Sequence, residues 1–339
     1  VSAAPERTAV VVGATFGAVY AGALTAPESA VRLVGIVGTG GHRSRALAES
    51  LGLPLYTDID RVPPVDLAVV VVRAGIVGGP GSRISARLLE RGIHVLQEQP
   101  VHAEEMIDLA RTAARHGVRY GVNDFYSGVE PVRQFIGAAA NLARISPIRY
   151  VHARAALQVA FPLFGMLARI LPRLTPARVD VLPAPAAPFA SVRLTLDDVA
   201  VDLLIDNQLC ADDPDNYLRL LHEFTVGTEA GELSLAHTHG STYWRRRRSG
   251  APTDAPIAQR IGETFDPTVA ETCRTLWPPA VRHAVDTFAT ALGTSRNTLS
   301  QRQIRAARLW ASVTSAMGPA VLIAPPEIPA VTAEDLIGP

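Results

Sequence analysis

An α/β protein is predicted, with a doubly wound parallel Rossmann sheet in residues 1–126 and an α+β part in residues 127–339. Three observations predict it. The stretch Ala9–Tyr20, AVVVGATFGAVY, has the order of strand, tight turn and helix. Apolar runs alternate with amphipathic stretches across residues 8–126. Beyond residue 190, runs that alternate in period two come in pairs around short polar turns, as hairpins do.

The first strand, Ala9–Val12, ends at Gly13, and Gly17 opens a helix. Unpaired N–H groups at such a helix start suit a pyrophosphate. A plain G-x-G-x-x-G from Gly13 would need glycines where this chain has Thr15 and Ala18, so Gly13, Ala14, Thr15, Phe16 and Gly17 form a variant turn. The next strands are Val31–Val37, Asp66–Val72, His94–Leu96 and Val118–Val122. The run DLAVVVV is unbroken and β-branched, as a strand covered on both faces should be. Helices are expected up to Leu51, over about Ser82–Arg91 and over about Ala103–His116. This alternation gathers the strand-to-helix loops at one edge of the sheet, where ligands bind.

Residues 127–190 are expected to be helical and then irregular, broken by Pro172, Pro176, Pro183, Pro185 and Pro188. Ser191–Leu196 and Val199–Ile205 pair around Asp197-Asp198, and Glu223–Gly227 pairs with Gly231–His237. Helices over Pro279–Leu292 and Ser300–Met317 are expected to pack back on the first domain. The Pro-rich tail APPEIPAVTAEDLIGP is expected to be an extended strap.

Composition narrows the class. The chain has 339 residues, 48% hydrophobic and 19% charged, enough for a sizeable core. Lys+Arg and Asp+Glu are both 32, so bulk attraction to nucleic acid or to an anionic membrane is not expected. Two cysteines exclude a disulfide framework and suit a reducing compartment. No apolar run reaches the roughly 18 residues of a membrane span. VSAAPERTAVVV lacks the layout of a secretory signal, so a cytoplasmic location is expected.

The loop after the second strand bears on the cofactor. Enzymes that bind the 2′-hydroxyl of NAD usually place Asp or Glu there. This chain has Gly38, then Thr39, His42, Arg43, Ser44 and Arg45, and no acid before Glu49. Small residues leave room, and guanidinium groups pair with a phosphate dianion. NADP is therefore expected.

The fourth strand runs into Glu98-Gln99-Pro100. GIHVLQEQP resembles the G-K-H-V-x-x-E-K-P segment of the glucose–fructose oxidoreductase and inositol dehydrogenase (Gfo/Idh/MocA) family. That resemblance implies a C-terminal domain on an open, mostly antiparallel sheet. The family's Lys is usually the catalytic proton relay, and here it is Gln99, which cannot act as an acid near neutral pH. GATFGAVY, VVVRAGIVGGPG, HVLQEQPVH, NDFY and GELSLAHTHG with Trp244 are similar to the thiazolinyl imine reductases of yersiniabactin- and pyochelin-type siderophore assembly, a branch that has also lost the Lys. The chain departs from that branch at Thr15, where a basic residue is expected, and at Gln99, where His is expected. The resemblance implies that Arg73, Glu98, Gln99 and Pro100 lie against the cofactor. It also implies a carrier-protein domain of a nonribosomal peptide synthetase as partner, and a homodimer.

The implied reaction adds hydride to a cyclic C=N carbon and a proton to its nitrogen. Tyr126, just beyond the fifth strand, is the first candidate acid, and His102 is the second; each has a plain alternative, packing for Tyr126 and helix capping for His102. Asn123 and Asp124 are expected to orient Tyr126 or substrate. His237 and His239 sit two apart in a strand-like stretch, with no acid beside them; a substrate or packing role is expected and a metal is not. Arg245–Arg248 is either a solvated hairpin or a landing patch for an acidic carrier domain. The rival functions are a diverged sugar or cyclic-alcohol dehydrogenase and a non-catalytic NADP-binding regulator.

Overall fold

The computed structural model describes residues 7–72, 79–175, 177–182, 188–214, 216–249, 252–294, 298–324 and 327–337. Its first sheet contains β1 (Arg7–Val12), β2 (Val31–Val37), β3 (Leu55–Tyr56), β4 (Leu67–Val70), β5 (His94–Glu98) and β6 (Tyr120–Asn123), all parallel, in the order β3-β2-β1-β4-β5-β6. Helices α1 (Gly17–Leu24), α2 (His42–Ser50), α3 (Pro80–Glu90) and α4 (Ala103–Arg115) connect them. Strand order reverses between β1 and β4, the switch point at which such sheets bind ligands. β4 is buried throughout, as its LAVV sequence demands. Just before it, the Asp66 carboxylate accepts the Thr8 N–H (2.7 Å) and hydroxyl (2.9 Å) at the foot of β1. β3 has two residues, too few for a periodic signal.

The second half contains α5 (Glu130–Ile145), β7 (Ile148–Ala156), α6 (Ala160–Ile170), β8 (Ala177–Leu182), β9 (Phe189–Leu196), β10 (Val199–Asp206), β11 (Gln208–Cys210), β12 (His222–Thr228), β13 (Gly231–Leu235), β14 (Thr242–Arg246) and β15 (Ala258–Ile261). Eight of these strands form a mixed, mostly antiparallel sheet in the order β15-β14-β13-β12-β7-β10-β9-β8, with only β7 and β10 parallel. β7 corrects the expectation of helix and irregular chain over residues 127–190. It lies near the middle of the sheet, with Val151, Ala153 and Ala155 buried and His152 outward. Alanines at inward positions mask a strand, because their β-propensity is low. The β9–β10 hairpin turns at Asp197, φ 56°, a left-handed conformation that Asp tolerates better than most residues.

The chain then forms the single turn α7 (Val269–Glu271), α8 (Trp277–Leu292), α9 (Gln301–Met317), β16 (Val321–Ile323) and α10 (Ala333–Ile337). Val281, Val285 and Phe288 of α8 share an apolar cluster with Val11, Tyr20 and Leu24. Leu309, Trp310 and Val313 of α9 join Met106 and Phe161 in another. Beside β6, the Thr298 hydroxyl donates to the Tyr120 carbonyl (2.6 Å) and the Gln303 amide to that of Val122 (3.1 Å). Just before the tail β16 pairs in parallel with β11, and within the tail α10 is helical, so the strap is not wholly extended. No described helix is long and apolar enough to cross a membrane.

Candidate active site

The carboxyl ends of β1, β2 and β4 shape the phosphate turn. Gly13 has φ 108°, and a Cβ there would run into the Val71 carbonyl. Its N–H donates to the Val37 carbonyl at 2.9 Å. Ala14, Thr15 and Phe16 carry the chain over, with Thr15 exposed, and the Ala18 N–H closes the turn on the Thr15 carbonyl. The start of α1 has neither a side-chain cap nor an acid in its first turn, so its N–H groups are available to an anion.

The β2–α2 loop is equally close-packed. A Cβ on Gly38 would lie 2.7 Å from Cβ of Ser44. Ser44 is buried and its hydroxyl donates to the Gly41 carbonyl (3.0 Å), so this serine builds the loop. Thr39, Arg43 and Arg45 are exposed, and neither arginine forms an ion pair with a described residue. Two cations at an uncapped helix start with no acid in its first turn favour a bound anion. Arg73 lies outside the described residues.

At the end of β5 a buried polar cluster forms. Tyr20, on α1, donates its hydroxyl to Oε2 of Glu98. Asn123 donates its amide to the Tyr20 hydroxyl (2.6 Å) and to the same Oε2 (3.1 Å). Oε1 of Glu98 is buried without a partner among the described residues, and so is Oε1 of Gln99. Burial pushes the Glu98 carboxyl up to about 8 despite the Tyr20 and Asn123 hydrogen bonds, which oppose it. Tyr20 is raised well above the usual phenol, by burial and then by Glu98. Gln99 donates its N–H to the Asn123 carbonyl (3.0 Å), and Pro100 follows, half-buried. Asp124 is occupied elsewhere, accepting from Ser127 (2.8 Å) and pairing with Arg169 (2.9 Å).

Tyr126 stands beside this cluster. Its ring meets Phe125 at 5.2 Å and His222 at 5.3 Å, both edge-on. Its hydroxyl has no hydrogen-bond partner among the described residues. Burial, then Glu98 and Cys273, push the phenol far up, so it stays neutral. His222 donates from Nε2 to the Val159 carbonyl (2.7 Å) and meets the Thr238 hydroxyl at Nδ1 (3.1 Å). Burial pushes it down to about 4.

His237 and His239 are not on a strand: β13 ends at Leu235, and both lie in the turn beyond it. Their rings are 5.5 Å apart. His239 accepts the indole N–H of Trp277 (3.0 Å) and is pushed down to about 4 by burial and by His237. No group of three possible metal ligands occurs among the described residues. Trp277 also meets Phe16 and Phe125, each at 5.7 Å, joining the phosphate turn to the histidine turn. His102 is set apart. It begins α4, donates its backbone N–H to Glu105 (3.3 Å), and lays its ring 4.9 Å from Trp310. Sequence reading passed over Tyr20, His222 and Trp277 as site residues; only the aromatic beside a phosphate turn and the Trp-Pro-Pro break mark two of them.

These residues suit a dinucleotide. Position 13 of the turn admits only glycine, two helix starts are open to phosphate, and two buried oxygens at the end of β5 have no described donor. Tyr126, His239 and Trp277 add an aromatic, uncharged wall, with the sealed His222 ring packed behind Tyr126. Such a wall suits a heteroaromatic or thioether-containing ring better than a polyol.

Comparison with known proteins agrees with this geometry. Residues 7–124 match the model of the oxidoreductase family with an NAD-binding Rossmann fold. Residues 148–245 match the C-terminal domain model of the Irp3-like thiazolinyl imine reductases. No curated protein matches the chain. Solved structures share the fold at low identity. UDP-N-acetylglucosamine 3-dehydrogenase GnnA from Acidithiobacillus ferrooxidans is 14% identical, with a TM-score of 0.69 over 92% of this chain and 98% of that one. A mutant of KijD10, a 3-ketoreductase from Actinomadura kijaniata in complex with TDP-benzene and NADP, is 16% identical, with a TM-score of 0.70 over 94% and 100%. GenD2 from gentamicin A biosynthesis, in complex with NAD, is 15% identical, with a TM-score of 0.66 over 93% and 94%. The chain is thus a Gfo/Idh/MocA-type, NAD(P)-dependent Rossmann oxidoreductase with a C-terminal domain matching the Irp3-like thiazolinyl imine reductase family.

Proposed function

We propose that the protein reduces the C=N of a thiazoline to a thiazolidine with NADPH. The substrate is an intermediate held as a thioester on a carrier domain of a nonribosomal peptide synthetase, in a siderophore-like pathway. The observation that carries this reading is the match of residues 148–245, the stretch that carries His222, His237 and His239. Residues 1–126 form the cofactor domain and residues 127–339 the substrate domain, and the protein acts as a homodimer.

NADPH supplies the hydride. Gly13–Gly17 and the start of α1 hold the pyrophosphate, and Thr39, Arg43 and Arg45 hold the 2′-phosphate. Glu98, Gln99 and Pro100 border the nicotinamide end. Tyr126 offers a neutral O–H to the imine nitrogen, orienting it. His237 contributes its exposed ring to the substrate mouth. Asn123 and Asp124 act through Glu98 and Arg169 and brace the site. Of the four arginines at the end of β14, Arg245 is paired with Glu232 (2.7 Å) and Arg247 with Glu229, which leaves Arg246 and Arg248 for an acidic carrier domain.

The test is turnover. With NADPH and a soluble thiazoline thioester mimic, absorbance of the reduced cofactor should fall in proportion to protein. Inert behaviour here, with oxidation of a polyol by NADP instead, would overturn the reading.

A further inference from the structure

Gln99 leaves this site without the usual ammonium acid, so the proton for the ring nitrogen must come from elsewhere. Tyr126 is an unsuitable net source. Its phenolate would be buried beside Glu98, with no described cation paired to it. His222 donates its Nε2 proton to a backbone carbonyl, and the His102 ring lies against Trp310 at the start of α4.

Glu98 remains. Its two oxygens differ. Oε2 is taken by two donors, the Tyr20 hydroxyl and the Asn123 amide. Those donors leave no place for a proton on Oε2. Oε1 is buried and meets no described group. A carboxylic acid here must therefore carry its hydrogen on Oε1, the one oxygen of the pair without a described partner. The groups facing it favour the neutral form: Tyr20 and Tyr126 are neutral phenols, Asp124 is a second acid, and Arg169 is paired with Asp124.

We propose that Glu98 enters the reaction as a neutral carboxylic acid and supplies, from Oε1, the proton that C=N reduction requires. The proposal rests on the imine reading above. The imine carbon gains hydride, and the π pair of C=N moves to nitrogen. Nitrogen takes the Oε1 proton, so one O–H bond breaks and one N–H bond forms. The carboxylate left behind keeps its hydrogen bonds from Tyr20 and Asn123, which are already in place. After product leaves, solvent returns the proton. Glu98 is thereby a catalytic residue and Tyr20 a positioning residue.

Infrared titration of the NADPH-loaded protein, wild type minus Glu98→Gln, tests the protonation state without substrate. A carboxylic-acid carbonyl band should be present at neutral pH and vanish with a midpoint near 8. On the thiazoline mimic, kcat should fall above the same midpoint. Glu98→Gln should lower kcat about 100-fold or more, with NADPH affinity by fluorescence little changed. Tyr20→Phe removes one donor to the carboxylate and should move both midpoints upward, which loss of mere packing would not do. Absence of the band at neutral pH, or a Glu98→Gln rate and pH profile equal to wild type, would overturn the proposal. Failure of every form to reduce the mimic would count against the imine reading alone, and the band would then decide Glu98 by itself.

Discussion

The indole N–H of Trp277 donates to Nε2 of His239 across 3.0 Å. This bond ties the start of α8, which packs on α1, to the turn after β13 in the other sheet. It also fixes the proton of neutral His239 on Nδ1 and withdraws the ring from metal or acid chemistry at Nε2.

The pH dependence of stability follows from such buried groups. His222 and His239 both titrate near 4 in the fold, against 6.5 for a free imidazole. Between those values the unfolded chain binds more protons, so stability rises with pH across that window. His222, fully buried, contributes at most roughly 3 kcal/mol by this route. Glu98 acts in the opposite sense. Its folded value near 8 lies above the free 4.5, so the fold binds the extra proton and stability falls as pH rises through that range. Two histidines outweigh one carboxyl below 6.5, and Glu98 acts alone above it. Chemical denaturation across pH should therefore show a maximum near 6.5, and Glu98→Gln should flatten the alkaline decline. A wild-type curve that climbs steadily to pH 8 would contradict this assignment.

Tyr126→Phe removes the only free O–H of the wall and keeps the ring contacts with Phe125 and His222. It should lower kcat on the thiazoline mimic by about 10- to 100-fold, within the span of a lost transition-state hydrogen bond. NADPH affinity should hold. Equal losses in both quantities would mean that Tyr126 acts by packing.

Replacing Arg43 and Arg45 together with Ala should weaken NADPH about tenfold or more, at roughly 1.5–3 kcal/mol for a hydrogen bond to a charged group. NADH binding should barely change. Titration of cofactor fluorescence gives both numbers, and a parallel loss would remove the 2′-phosphate assignment.

Gly13→Ala forces an L side chain to φ 108° and into the Val71 carbonyl. A stability loss on the order of 2 kcal/mol is expected from the backbone alone, together with loss of dinucleotide binding. Normal melting with normal binding would show that the turn has room it is not expected to have.

Much of this was legible in the chain. Val31–Val37 is a run whose ends carry no ambiguity, and helices α3, α4, α8 and α9 have strong apolar periods. The phosphate turn, the basic β2–α2 loop and Glu98 were marked by position after strands, which parallel sheets turn into location. What stayed hidden was long-range. β7 is masked by inward alanines. Tyr20 meets Glu98 from 78 residues away, and His222 meets Tyr126 through the packing of one sheet end on another. Neither pairing leaves a local pattern. The strand-like spacing of His237 and His239 misled for a related reason: β13 stops at Leu235 where the chain turns to form β14.

The measurement that bears most directly on the account is label transfer. NADPH deuterated at the transferring carbon, incubated with the protein and a thiazoline thioester mimic, should deliver one deuterium to the former imine carbon of a thiazolidine, seen by mass spectrometry and NMR. Recovery of unlabelled thiazoline, or deuterium delivered instead to the carbonyl carbon of a keto-sugar, would contradict it.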